Sequence, residues 1–234
     1  MDVPIAEKHA ANPDHHLIQA DVWLTASAQG ERTTALSYAA LELRFAIERI
    51  AAHYWLALLG RPAVAKDFDE IRSFKRIERR IYALAGQQDR INRHYEFVRI
   101  LWTALSIEIP LCTLDVGRLS HAWHDCSELC HIAWPLVSST ADVGAQAYKQ
   151  LLDIHIMLQG LVHGMGWPSV AEGQFGDLRD RYVAGSASAD DVRSHIHAIG
   201  AWAKITYNDG RPSEFVGRPV PPQSAQRPSE DEPT

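Results

Sequence analysis

The densest group of side chains capable of chemistry is Arg118-Leu-Ser-His121-Ala-Trp-His124-Asp125-Cys126-Ser-Glu128-Leu-Cys130-His131. Read as a helix, it puts His124, Glu128 and His131 on one face at i, i+4 and i+7, and His121, Asp125 and Glu128 on an adjacent one. Three readings fit. His, Cys, Asp and Glu all ligate metals, and Glu128-x-x-His131 has the spacing used on di-iron helices. A di-iron bundle needs a second such pair and two further Glu, and the chain has no second pair. Alternatively, Arg118 and His124, with five residues between them, combine a fixed cation for phosphate with a proton shuttle near neutral pH. That combination suits cleavage of RNA through its 2′-hydroxyl without a metal. In the third reading the cluster is structural, because twelve His in one chain place several on one helix, where they cap, hydrogen-bond or face water.

Other polar positions fall on helical stripes. Glu42, Arg49 and His53, at i, i+7 and i+11, line one side of a strongly apolar helix, where Glu42 reads as a buried, paired carboxylate and the set as supporting polar groups. Arg44 and Glu48, four apart, read as a solvated ion pair. Between residues 72 and 93 seven basic residues face two acidic ones. Arg72, Arg76, Arg79 and Arg80 fall on one helical face there, a patch suited to phosphates of RNA or to an acidic partner. His155 and His163 lie on a later helix; if that helix runs antiparallel to 115–134, His121 or His124 approaches Asp153 or His155.

The elements that carry these residues are legible from periodicity. Apolar residues at three- and four-residue steps, with Gly and Pro as stops, predict helices over 14–28, 33–59, 65–85, 89–107, 115–134, 141–163, 172–183 and from 188, 190 or 191 to 205. The strongest is 33–59, carrying Leu36, Ala39, Leu43, Ile47, Ile50, Tyr54 and Leu58, and Asp14 reads as the cap of the first. No stretch alternates long enough to read as a strand. Six of the twelve Pro lie between Pro212 and Pro233, and the chain closes on Ser229-Glu-Asp-Glu-Pro-Thr234. Such a segment buries too little to offset its ordering. The expectation is an all-α, up-and-down multi-helix bundle over 13–207, with a flexible arm at 1–12 and a disordered Pro-rich tail at 208–234.

Composition narrows the class. The 234 residues are 46% hydrophobic and carry a net charge of −6, against a protein that coats nucleic acid by bulk charge. No apolar run reaches the length of a membrane span, and Met1-Asp-Val-Pro4 begins no signal peptide, so the expectation is cytoplasmic, with no membrane contact. Three Cys make no disulfide framework. Gly-rich phosphate loops, Cys-x-x-Cys, His-Glu-x-x-His and Gly-x-Ser-x-Gly are absent, and no cofactor is called for.

The stretch Leu36-Ser-Tyr-Ala-Ala-Leu-Glu42-Leu-Arg44-Phe-Ala-Ile-Glu48-Arg49 resembles the opening helix of HEPN domains, helical bundles common in bacterial toxins and antiphage systems. The resemblance implies a homodimer that cuts RNA without a metal, using an Arg and a His four to six residues apart on a late helix; Arg118 and His124 match that spacing. Two functions follow as expectations: a HEPN-like RNA-binding protein or metal-independent ribonuclease of toxin or defence type, or a non-enzymatic helical module that meets a protein partner. A metal-binding bundle is the lesser third.

Overall fold

A computed structural model describes residues 12–58, 64, 66, 79, 81, 83–107, 111–130, 141–163, 174–201, 203–205 and 215–217, with backbone alone at 141, 174, 203–205 and 215–217. The all-α fold expected from the sequence is what forms, as two compact units: Met1–Asn92 with Leu111–Ser169, and Arg93–Pro110 with Val170–Thr234.

In the first unit, Pro13–Ala26 (α1) is capped by Asn12, whose side chain accepts from the Asp14 N–H at 3.1 Å. The cap is therefore Asn12 rather than Asp14. Pro13 has no N–H and suits the first helical position, which moves the cap one residue upstream of it. A 3-10 turn at Ala28–Gly30 reverses the chain with positive φ at Ala28, Gln29 and Gly30. Thr33–Leu58 (α2) follows. Trp23 packs on Tyr38 with ring centroids 4.8 Å apart, and His16 meets Glu42 at 2.8 Å. These contacts recede in step from the turn, so α1 and α2 are antiparallel.

Val116–Cys130 (α4) and Ala141–His163 (α5) complete this unit, with the first turn of Gln88–Ala104 (α3). Helix α2 packs against α1, α4 and α5, as its wide apolar surface requires. Leu36, Leu43 and Ile47 on it are fully buried, with Leu119 of α4 and Leu151 and Leu158 of α5. His155 of α5 is also buried, and its Nε2–H donates to the Leu17 carbonyl of α1 at 3.0 Å. That fixes which ring nitrogen carries the proton, since a carbonyl only accepts. His155 is thus committed to α1, not to His121 or His124.

The second unit contains the remainder of α3, Gln174–Val183 (α6) and Ala189–Ala198 (α7). Phe97 and Tyr182 are buried with ring centroids 5.8 Å apart. Burial, then a hydrogen bond from its hydroxyl to Glu96, raises the Tyr182 pKa. Ser188 and Asp191 cap α7 reciprocally, and the bonds from Ser188 lower the Asp191 pKa.

Helices α3, α6 and α7 all end on the same paired bonds. The N–H groups of Ile107, Ser186 and Ala201 reach back to Trp102, Arg181 and Ile196, over Ser106, Gly185 and Gly200 at positive φ. This Schellman geometry stops α3 at Ala104 and α7 at Ala198. The last helix therefore does not reach 205. Beyond Gly200 the chain extends, and Ala203–Ile205 (β1) pairs antiparallel with Phe215–Gly217 (β2), Lys204 opposite Val216. This short ladder corrects the expectation of no strand, and β2 lies within the segment read as a structureless tail. Three residues are too few for an alternating pattern to stand out in a sequence. The rest of 208–234, residues 1–11 and most of the helix expected over 65–85 lie outside the described residues.

Candidate functional site

Helix α4 carries the Arg and His residues, and its start is fixed twice. Asp115 Oδ1 accepts from the Arg118 N–H at 2.9 Å. The Gln88 side chain accepts from the Val116 N–H at 2.9 Å and donates to the Leu114 carbonyl at 2.8 Å. One amide thus uses both ends to hold the entry of α4 against the start of α3.

The inner face of α4 is Leu119, Ala122, Trp123 and Cys126, all buried. Trp123 is the joint with α2. Its indole N–H donates to Glu48 Oε1 at 3.2 Å, the same oxygen that accepts from Arg44 Nε at 3.2 Å. The Arg44 guanidinium also lies over the Trp123 ring, 4.8 Å from its centroid. Arg44 and Glu48 are only 4% and 8% exposed. The pair read from spacing as a solvated face is a buried charge network. Spacing shows that two residues meet but not which neighbour covers them, and here α4 does.

The two thiols beside this network are unreactive by environment. Burial raises the Cys126 pKa far above its usual range. Burial likewise pushes Cys130 up to about 11, with Arg44 acting against it and Glu48 with it. Cys112 is exposed. Thiol labelling of the native protein near neutral pH is expected to modify Cys112 quickly, with Cys126 reacting only after denaturation and Cys130 slowly before it. Equal rates at all three would contradict this arrangement.

The outer face of α4 is polar. Arg118, His121 and Glu128 are exposed, whereas His124 and Asp125 are half-buried. The His124 ring stands edge-on to Trp123, centroids 5.3 Å apart. At about 100° per residue, Arg118 and His124 lie roughly 120° apart around the helix, with His121 between them. His121 Nδ1–H donates to the Gly117 carbonyl at 2.8 Å, so in the neutral ring Nε2 is the acceptor nitrogen. His131 lies outside the described residues. Among the described residues no three His, Cys, Asp or Glu side chains converge closely enough to hold a metal ion.

The second stripe divides. Glu42 is half-buried and paired with His16, which also packs on Phe45 at 5.3 Å; His16 was not singled out by sequence. An acid and a base separated by a turn carry no short-range signal, and only the reversal at 28–30 brings them together. Arg49 is half-buried and His53 exposed. Of the basic patch, Arg79 is exposed, and Arg72, Arg76 and Arg80 lie outside the described residues. Arg90 is exposed and donates to Gln87 Oε1 at 3.0 Å. No helix among the described residues is long and apolar enough to cross a membrane.

No family model matches the chain, and no curated protein or solved structure matches it.

Proposed function

We propose that the protein is a HEPN-like RNA-binding bundle that cleaves RNA without a metal, with Arg118 holding the phosphate and His124 acting as acid and base. The observation that supports this reading is the division of α4 into two faces. Its inner face is locked to α2 through Trp123 and Glu48, while Arg118 and His121 project from the outer face and His124 sits at its half-buried edge. A rigid helix presenting a permanent cation beside imidazoles is what transfer at a phosphodiester needs. Exposed basic residues such as Arg79 and Arg90 supply attraction for the RNA strand.

Purified protein is expected to cleave single-stranded RNA in the presence of EDTA. Both His124→Ala and Arg118→Ala should reduce the rate by about 100-fold or more while circular dichroism stays unchanged, in keeping with the usual size of general acid–base effects. Full activity in the His124 variant, or no cleavage by the parent protein, would sink the assignment.

A second reading, a non-enzymatic interaction module, draws on apolar exposure. Ile18 and Val22, one turn apart on α1, are 62% and 53% exposed, and Tyr38 of α2 is 48% exposed. Single exposed apolar residues are ordinary, but two on consecutive turns of a helix offer a contact face for a partner. RNA-independent capture of a partner, lost on Ile18→Asp and retained in His124→Ala, would favour it.

A further inference from the structure

We infer that Arg49 and His53 of α2 form an anion-binding site for the oxygens of a phosphate group, separate from the α4 residues. The two residues are one turn apart, so their side chains lie side by side on one face of the helix. Arg49 Nε is buried and has no hydrogen-bond partner among the described residues. Three other arginines among the described residues form ion pairs: Arg44 with Glu48, Arg179 with Asp180, and Arg193 with Asp190. Most buried guanidinium N–H groups in proteins are paired, and one left without an acceptor calls for an anion to complete it.

The stripe on which Arg49 stands offers no substitute. Glu42, two turns before it, is held by His16 Nδ1 at 2.8 Å, and Glu48 is turned to Arg44 and Trp123. Meanwhile Arg49 acts on its neighbour: burial first, and then the Arg49 charge, lower the His53 pKa. His53 itself is exposed to solvent. Among the described residues no carboxylate forms an ion pair or hydrogen bond with Arg49 or His53. A planar guanidinium binds a tetrahedral oxyanion through paired N–H groups, and the imidazole one turn away reaches another oxygen of the same anion. A lone carboxylate would need only Arg49. Both residues fit phosphate, whether as a free ion or as a phosphodiester of RNA.

Around α2, Arg49 lies about 100° from Glu48 and hence away from α4. The inference therefore goes beyond the ribonuclease reading and does not depend on it. The test is NMR of the Arg49 Nε–H and the His53 ring during titration with inorganic phosphate, against chloride at equal ionic strength, and separately with a short single-stranded RNA. Saturable movement of both signals with phosphate, together with a rise in the pH at which His53 titrates, is the expected result. Arg49→Gln should lose the His53 response. Movement with phosphate but not RNA identifies the free ion, and movement with RNA identifies the phosphodiester. Signals that move equally with chloride, that stay still with both probes, or that persist undiminished for His53 in Arg49→Gln would overturn the site. If Arg49→Gln fails to fold, the Nε–H of the parent protein decides alone, because it reports the proposed bond directly. Loss of RNA cleavage in His124→Ala with phosphate binding intact separates this site from the α4 residues.

Discussion

Replacing Glu48 with alanine is expected to lower the free energy of unfolding by about 3–5 kcal/mol, the usual cost of removing one partner from a buried ion pair. The carboxylate is 8% exposed, and one of its oxygens accepts from both Arg44 Nε and the Trp123 indole. Without it, a guanidinium that is 4% exposed loses the Glu48 charge at the α2–α4 boundary, and the indole loses its Glu48 acceptor. Each group would lose a contact that offsets its desolvation. Glu48→Gln should cost less, since an amide oxygen still accepts from Trp123, but it removes the Glu48 charge that faces Arg44. Arg44→Met combined with Glu48→Gln should recover part of the loss, because the buried charge is then gone from both sides. Urea denaturation with an unchanged slope checks all three. A loss below about 1 kcal/mol for Glu48→Ala would mean that the pair behaves as an exposed one.

The second large effect concerns glycine. Gly30 ends the 3-10 turn at φ 102°, where its backbone lies directly against that of Gly144 in the first turns of α5. A Cβ on Gly30 would fall on the Gly144 carbonyl group, and one on Gly144 would meet the Gly30 carbonyl. These obstacles are backbone atoms, so no rotamer change relieves them. Gly30→Ala adds a left-handed φ to that overlap, and each of the two problems costs about 1–3 kcal/mol. Gly30→Ala is therefore expected to destabilise by about 3 kcal/mol or more, and Gly144→Ala by somewhat less. Gly160 is the internal control: it lies on the same helix, and a Cβ there has no neighbour within 4 Å. Gly160→Ala should instead stabilise by about 0.5–1 kcal/mol through helix propensity. Thermal unfolding of the three variants side by side tests the contrast, and equal destabilisation by all three would contradict it.

Helix existence and position were legible because they depend on local regularities. The apolar steps from Leu36 to Leu58 are a property of the chain itself, and they match α2 at Thr33–Leu58. Helix α5 runs from Ala141 to His163, the span that periodicity predicts. Helix ends were less legible: α7 stops at Ala198 on the Gly200 turn, short of the 205 expected, and α3 stops at Ala104. The α3 terminus depends on Ser106 at φ 56°, a left-handed conformation that serine seldom adopts and that composition does not announce. The short β1–β2 pairing was hidden for a related reason, since its hydrogen bonds join segments ten residues apart.

The candidate site divides along the same line. The sequence by itself determined that Arg118, His121 and His124 ride one helix, because helical spacing is intrinsic to the backbone. Only the tertiary structure decided which sides of that helix face inward, and it did so through Trp123, whose buried N–H required an acceptor that Glu48 provides. It also turned Arg44 and Glu48 from a surface pair into a buried network, paired His16 with Glu42, and committed His155 to the Leu17 carbonyl. Each of these contacts joins residues on different helices or sets their solvent exposure. Pairings of that kind depend on how helices pack, which periodicity within one helix does not encode.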